Sequence, residues 1–366
     1  MTAGVSEHEV GSPDTAGPRK RVLTALGWAV GAAIVVLMAV YAQRGLAPGT
    51  PGVDRIANPA VHGAPRPVTY LLGWPHWLGL MQWLTVAQMV ALVGAVTWYW
   101  RKYPRHPYLL MAIAATAVVW MDPIMNWAPF AVYNPQLWHL PVNWPLASVS
   151  PTIEPFIVIG YASFYAGPFF PANSLLRKLQ ARREDSFAVR HPLWTLSILI
   201  FVVGFVYDAI LEIFCIRAGL YMYDQVVPFG SIWNGTPFQF PLLVEPAFVT
   251  IMMIPAGLLL YSARNAGGAD GPGRGGVALT NAERLTRRLR LLPRRPALGT
   301  FIVMFGLLII AYCGYGGAFA ILKDTGASTS VACPWQYPEA KIYDPLGYYA
   351  KTGNCVHPAT GSASHG

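Results

Sequence analysis

Charge is what this 366-residue sequence has least of: Asp, Glu, Lys and Arg together make up 12% of it. A soluble domain carries about twice that share. With 54% hydrophobic residues and a mean hydropathy of +0.39, the composition predicts an all-α, polytopic membrane protein. Other absences narrow the chemistry. The eight histidines form no pair at helical spacing, which excludes the histidine boxes of membrane di-iron oxygenases. There is no P-loop, no Gly-x-Ser-x-Gly elbow and no dinucleotide fingerprint, so no cofactor is expected. Four cysteines are present. Two lie in apolar stretches as small fillers, and the remaining two are too few for a four-ligand zinc site, so no metal is expected.

What is present is a set of long apolar runs. Seven of them approach the length of a membrane span: 23–42, 78–100, 108–130, 152–172, 193–216, 240–262 and 299–322. The first follows Arg19-Lys20-Arg21 and is longer than a signal-peptide core, so it is expected to stay as an anchor. Nineteen of the 26 Lys and Arg residues fall before span 1 and between spans 2–3, 4–5 and 6–7. That bias places the N-terminus inside and the C-terminus outside. It also accounts for the net charge of +9 without a nucleic-acid partner. The expected setting is a bacterial inner membrane. Span 7 has no mid-helix lysine, since Lys323 sits at its end, so a retinal Schiff base is not expected.

Residues 1–22 read as a disordered cytoplasmic N-terminus, 23–322 as the seven-helix domain and 323–366 as an outer tail. Outer loops are expected at 43–77 and at 131–151, the second dense enough in Trp, Asn and Pro for a folded cap. The inner loop 263–298 passes from Gly-rich to strongly basic, as a short amphipathic helix on anionic headgroups would. A partner-docking role for it stays open. Cys333 and Cys355 share the outer tail, where a structural disulfide between them is permitted.

Five carboxylates break the apolar pattern: Asp122, Glu154, Asp208, Glu212 and Glu245, with no Lys or Arg inside those stretches. A charge in hydrocarbon costs roughly 2.5–3.5 kcal/mol on insertion scales, so such groups face a cavity, a partner or a substrate. At the helical rise, Asp122 lies about 21 Å along span 3, and Asp208 and Glu212 about 22 and 28 Å along span 5. Glu154 and Glu245 fall near the outer starts of spans 4 and 6, where a helix dipole alone can hold them. Asp208 and Glu212 are four apart, on one helical face, although Arg217 is near enough to pair with Glu212 instead. In WMDPIMNW, Pro123 is expected to kink the helix beside Asp122 and Asn126. The expected site is a shared acidic pocket in the outer half of the membrane. Asp122 is its general acid and Asp208 its anionic counterpart, Glu154 and Glu245 orient substrate hydroxyls, and Glu212 belongs to the same catalytic set. Trp120, Asn126, Trp127, Tyr133, Asn134 and His139 are expected to shape it.

The strings WMDPIMNWAPFAVYNPQLWHLPVNWPL and SPTIEPFIVIGY, from Trp120 to Tyr161, resemble the AveC-like spirocyclase family. The stretch from Tyr207 to Glu212 and the Glu245-Pro246 pair extend the resemblance over roughly residues 70–325. It implies a membrane-embedded enzyme that closes a spiroketal, and in some members removes water, on a polyketide or similar lipophilic hydroxy-ketone. Paired carboxylates suit that chemistry. The residues alone leave two alternatives open: a proton-coupled transporter of a lipophilic compound, and a non-catalytic lipid-binding protein.

Overall fold

The computed structural model describes residues 71–103, 105–122, 131–134, 137–138, 155–223, 225–236, 238–262 and 279–331. Span 1, most of loop 43–77, Pro123, Asn126, Trp127, His139, Glu154, the Gly-rich stretch after 263, Cys333 and Cys355 lie outside them.

Helices dominate the described residues. They are α1 (Trp77–Lys102), α2 (Pro107–Val118, continued by a 3-10 turn Val119–Met121), α3 (Phe169–Arg182), α4 (Phe187–Arg190), α5 (Pro192–Arg217), α6 (Val244–Leu260), α7 (Asn281–Arg288) and α8 (Pro296–Asp324). Proline opens α2, α5 and α8, where its missing N–H leaves no helical bond unmade. Basic residues close α1 and α5, against the negative helix ends. Three of these helices, α1, α5 and α8, are long and apolar enough to cross a membrane, while α2 and α6 are apolar but shorter.

The fourth apolar run departs from expectation. It begins as a 3-10 helix, Phe156–Ser163, turns, and continues as α3 through the basic residues assigned to an inner loop. Gly160, Gly167, Pro168 and Pro171 punctuate it, and both residue types weaken a continuous α-helix. The backbone at Gly160 instead accepts a hydrogen bond from Gln88 Nε2 of α1 at 2.7 Å.

Strands are the second departure from the all-α expectation. β1 (Ala131–Tyr133) pairs antiparallel with β2 (Tyr221–Tyr223), with Ala131 opposite Tyr223 and Tyr133 opposite Tyr221. β3 (Gln225–Val226) pairs with β4 (Ser330–Val331). Gln239 ties the pairs together, its amide donating to Tyr223 O at 2.9 Å and to Ser330 O at 3.3 Å. Around them a small core of Leu137, Val158, Ile216, Leu220 and Phe240 caps one end of the helices.

The main core joins α2, α3, α5, α6 and α8. Close approach of α5 to α6 rests on glycine: a Cβ on Gly204 would meet Thr250 Cγ2 at 2.7 Å, and one on Gly257 would run into Ile200 Cδ1. On the opposite end from the cap, α7 carries a Thr280–Glu283 capping box and buries Ala282 and Thr286, leaving Arg284, Arg287 and Arg288 outward. Gly204→Val should separate α5 from α6 and cost about 1–3 kcal/mol. Reversible unfolding of the purified protein measures this, and Thr250→Ala in the same chain should recover part of the loss.

Candidate functional site

The ends of α2, α5, α6 and α8 that meet beneath the strands share one level. Asp122 follows the 3-10 turn about 22 Å from the start of α2 by helical rise. Asp208 stands about 24 Å along α5 and Tyr312 about 24 Å along α8. Glu245 is the second residue of α6, which begins there. Spacing then fixes which side chains face inward together: Asp208 with Glu212, and Tyr312 with Tyr315. On the roof, period-two alternation turns Ala131 and Tyr133 of β1, and Tyr221 and Tyr223 of β2, to one side.

These groups line a single cavity of about 220 Å³. Asp122, Asp208, Glu212 and Glu245 all reach its wall, so the helices bring four of the five anticipated carboxylates together. Tyr133 is there as well. Asn134 and Trp120 are not among the lining residues. Asn134 is turned into the cap, its side-chain amide donating to Gly219 O at 2.9 Å. Trp120 is 47% exposed. The helix after α2 rotates it outward as it carries Asp122 inward. Arg217, a candidate partner for Glu212, instead sets its guanidinium over the rings of Phe238 and Trp233, 4.6 and 5.6 Å from their centroids.

Tyrosine takes the place that a basic partner would have filled. Tyr223 Oη donates to Glu212 Oε2 at 2.8 Å, and Tyr315 Oη donates to Glu245 Oε1 at 2.8 Å. Tyr221 stands beside Glu212, and Tyr223 stands beside Glu245. Tyr223 therefore adjoins both glutamates. Asp208 differs: it is 0% exposed, and neither carboxyl oxygen has a hydrogen-bond partner among the described residues. Glu245 Oε2 and the Tyr312 hydroxyl are also unpartnered. A buried polar atom left unpaired costs about 1–3 kcal/mol. Four of them around one cavity leave acceptors and a hydroxyl ready to bond what enters it.

Sequence reasoning missed Tyr165, Tyr207, Tyr221, Tyr223, Tyr312, Tyr315, Thr85 and Gln88, all on the cavity wall. Signals existed for some. Tyr221-Met222-Tyr223 has strand alternation, Tyr312 and Tyr315 have helical spacing, and Tyr207 adjoins Asp208. Cys215, taken as a filler, also touches the cavity.

A helical protein with membrane-length spans and a carboxylate–tyrosine cavity under a small strand cap is the class these features define. A family model described as spirocyclase AveC-like matches residues 100–343, about two thirds of the chain. The chain belongs to that family. The matched range holds Asp122, Asp208, Glu212 and Glu245. No curated protein and no solved structure matches it.

Burial pushes the Tyr223 phenol well above its usual value near 10, and the neighbouring Glu212 and Glu245 push it in the same direction. The group is a lasting donor, and its effect on stability has a definite sign. Below about pH 10 the phenol is protonated in both folded and unfolded chains, so its own ionisation adds no pH dependence to the difference between wild type and Tyr223→Phe. Above that pH the unfolded chain releases the proton first. Wild type then loses about 1.4 kcal/mol per pH unit relative to the variant. Unfolding curves on either side of about pH 10 test this, and parallel profiles for the two proteins would refute it.

Proposed function

We propose that the protein is a membrane-embedded acid–base enzyme that cyclises a lipophilic hydroxy-ketone, such as a polyketide or lipid, with loss of water. The observation that carries the reading is the meeting of four carboxyl groups at one cavity, with Asp208 buried and unpartnered there. Membership of the spirocyclase AveC-like family supports the reaction class. The proposed setting is seven spans in a bacterial inner membrane, N-terminus inside and C-terminus outside. The three membrane-length helices agree with part of that layout.

Closing a spiroketal requires three things at one carbon. Protonated Asp122 gives its proton to a hemiketal hydroxyl, the C–O bond breaks and water leaves. The carbon that remains is an oxocarbenium ion, and the Asp208 carboxylate facing it offsets its positive charge. A second substrate hydroxyl attacks that carbon to form the new C–O bond, and its proton passes to Glu245 or Glu212. One proton leaves the site and one returns, so the reaction is a net dehydration with no redox change. Tyr315 and Tyr223 hold the two glutamates in place during the transfer. The apolar wall supplied by Val249, Met252, Leu211 and Ile157 excludes water that would trap the oxocarbenium ion.

The carboxylates share one level, whereas a proton-coupled transporter needs its relay reachable from both sides of the membrane. Untargeted lipid mass spectrometry on cells lacking the gene tests the proposal. Complementation with wild type should convert a species one water heavier into its product. Asp208→Asn or Asp122→Asn should slow that conversion by about 10²–10⁴-fold, while Trp120→Phe should leave it unchanged. Molecules that merely move between cell and medium would retire the enzyme reading in favour of transport.

A further inference from the structure

The wall that receives the substrate also has the composition of a cage for an organic cation. Among the described residues four carboxyl groups line it and no Lys, Arg or His does. Seven described tyrosines join them, and a tyrosine ring attracts a cation through the negative face of its π-system. The rings brace one another: Tyr165 and Tyr312 meet edge to face with centroids 5.1 Å apart, so they are set before any ligand arrives. Asp208 adds the second indication. A carboxyl group that is fully buried, unpartnered and on the cavity wall has no counter-charge among the described residues, and a cation bound beside it would offset the cost of ionising it there.

A metal ion does not suit this geometry. Among the described residues no three His, Cys, Asp or Glu side chains converge as metal ligands. The acids are instead distributed around a cavity of about 220 Å³, roomy enough for the ring or head of an organic ion. Apolar residues such as Val249 and Met252 share the wall, which suits a cation with hydrocarbon around its charge.

We infer that the cavity binds lipophilic ammonium ions in preference to uncharged molecules of the same shape. Asp208 supplies the counter-charge and the Tyr312 ring supplies a cation-attracting face. The inference goes beyond the cyclase reading: such ions would inhibit a cyclase by imitating its oxocarbenium ion, yet binding itself needs no reaction.

The test uses the full-length protein in lipid nanodiscs, with N-methyl-N-octylpiperidinium as the probe and its uncharged carbon isostere as the comparison. Ligand retained after equilibrium dialysis is counted by mass spectrometry, with empty nanodiscs subtracted. The ammonium should bind roughly tenfold or more tightly than the isostere. Asp208→Asn should erase that preference while still retaining the isostere, which also shows that the variant has folded. Tyr312→Leu should weaken the ammonium selectively, and Tyr312→Phe, which restores a ring, should recover it. Equal binding of the two probes to wild type overturns the inference, as does a preference that survives both Asp208→Asn and Tyr312→Leu. Neither result touches the cyclase reading, which is decided by product formation in cells. A selective ammonium site in a protein that forms no product would leave the cage standing and remove the cyclase.

Discussion

Carboxyl groups that cannot stay in hydrocarbon set the terms for everything else in this structure. Each of Asp122, Asp208, Glu212 and Glu245 sits on an otherwise apolar segment, where an isolated charge is costly. The fold answers that cost in one place. It collects the four groups around a cavity, hands Glu212 and Glu245 to tyrosine hydroxyls, and closes the top with two short strand pairs. The helices that carry the acids pack where small residues allow close approach, as at Gly204 and Gly257.

Neutral donors give this arrangement its chemical character. An Arg or Lys beside each acid would satisfy it permanently and leave nothing for a substrate to complete. A phenol orients a carboxyl group without fixing its charge, so the acid can hold a proton or release it as a reaction demands. Asp208, with no such partner among the described residues, is the group whose environment is finished only by what enters the cavity. The proposed cyclisation and the inferred affinity for an organic cation draw on the same property, because the proposed reaction passes through a cationic carbon.

The cap is as much a part of the site as the helices. β2 delivers Tyr221 and Tyr223 to the acids, and its register against β1 sets Tyr133 and Ala131 beside them. Gln239 fastens β2 to the segment ending in β4, so residues far apart in the chain hold the roof together. This also explains the fate of Arg217. At the end of α5 it meets the aromatic side of the cap, where Phe238 and Trp233 take its guanidinium, and Glu212 is left to tyrosine.

Much of this was legible in the chain. Apolar runs marked α1, α5, α6 and α8 nearly to their ends, because hydrophobic length is a local property. The depth of Asp122, Asp208 and Glu245 followed from counting residues at the helical rise, and the shared face of Asp208 and Glu212 from their spacing. Family membership was legible too, in the block around Asp122 and Glu154. Tertiary structure alone decided the rest. Whether acids on different helices meet depends on how each helix is rotated about its axis: close packing at Gly204 and Gly257 sets α5 against α6, and the turn after α2 leaves Trp120 out and Asp122 in. The tyrosines were visible as letters, but their role depended on strand register and helix contact across the whole chain. The fourth run did not stay a single α-helix, because its glycines and prolines let contact with Gln88 override hydropathy.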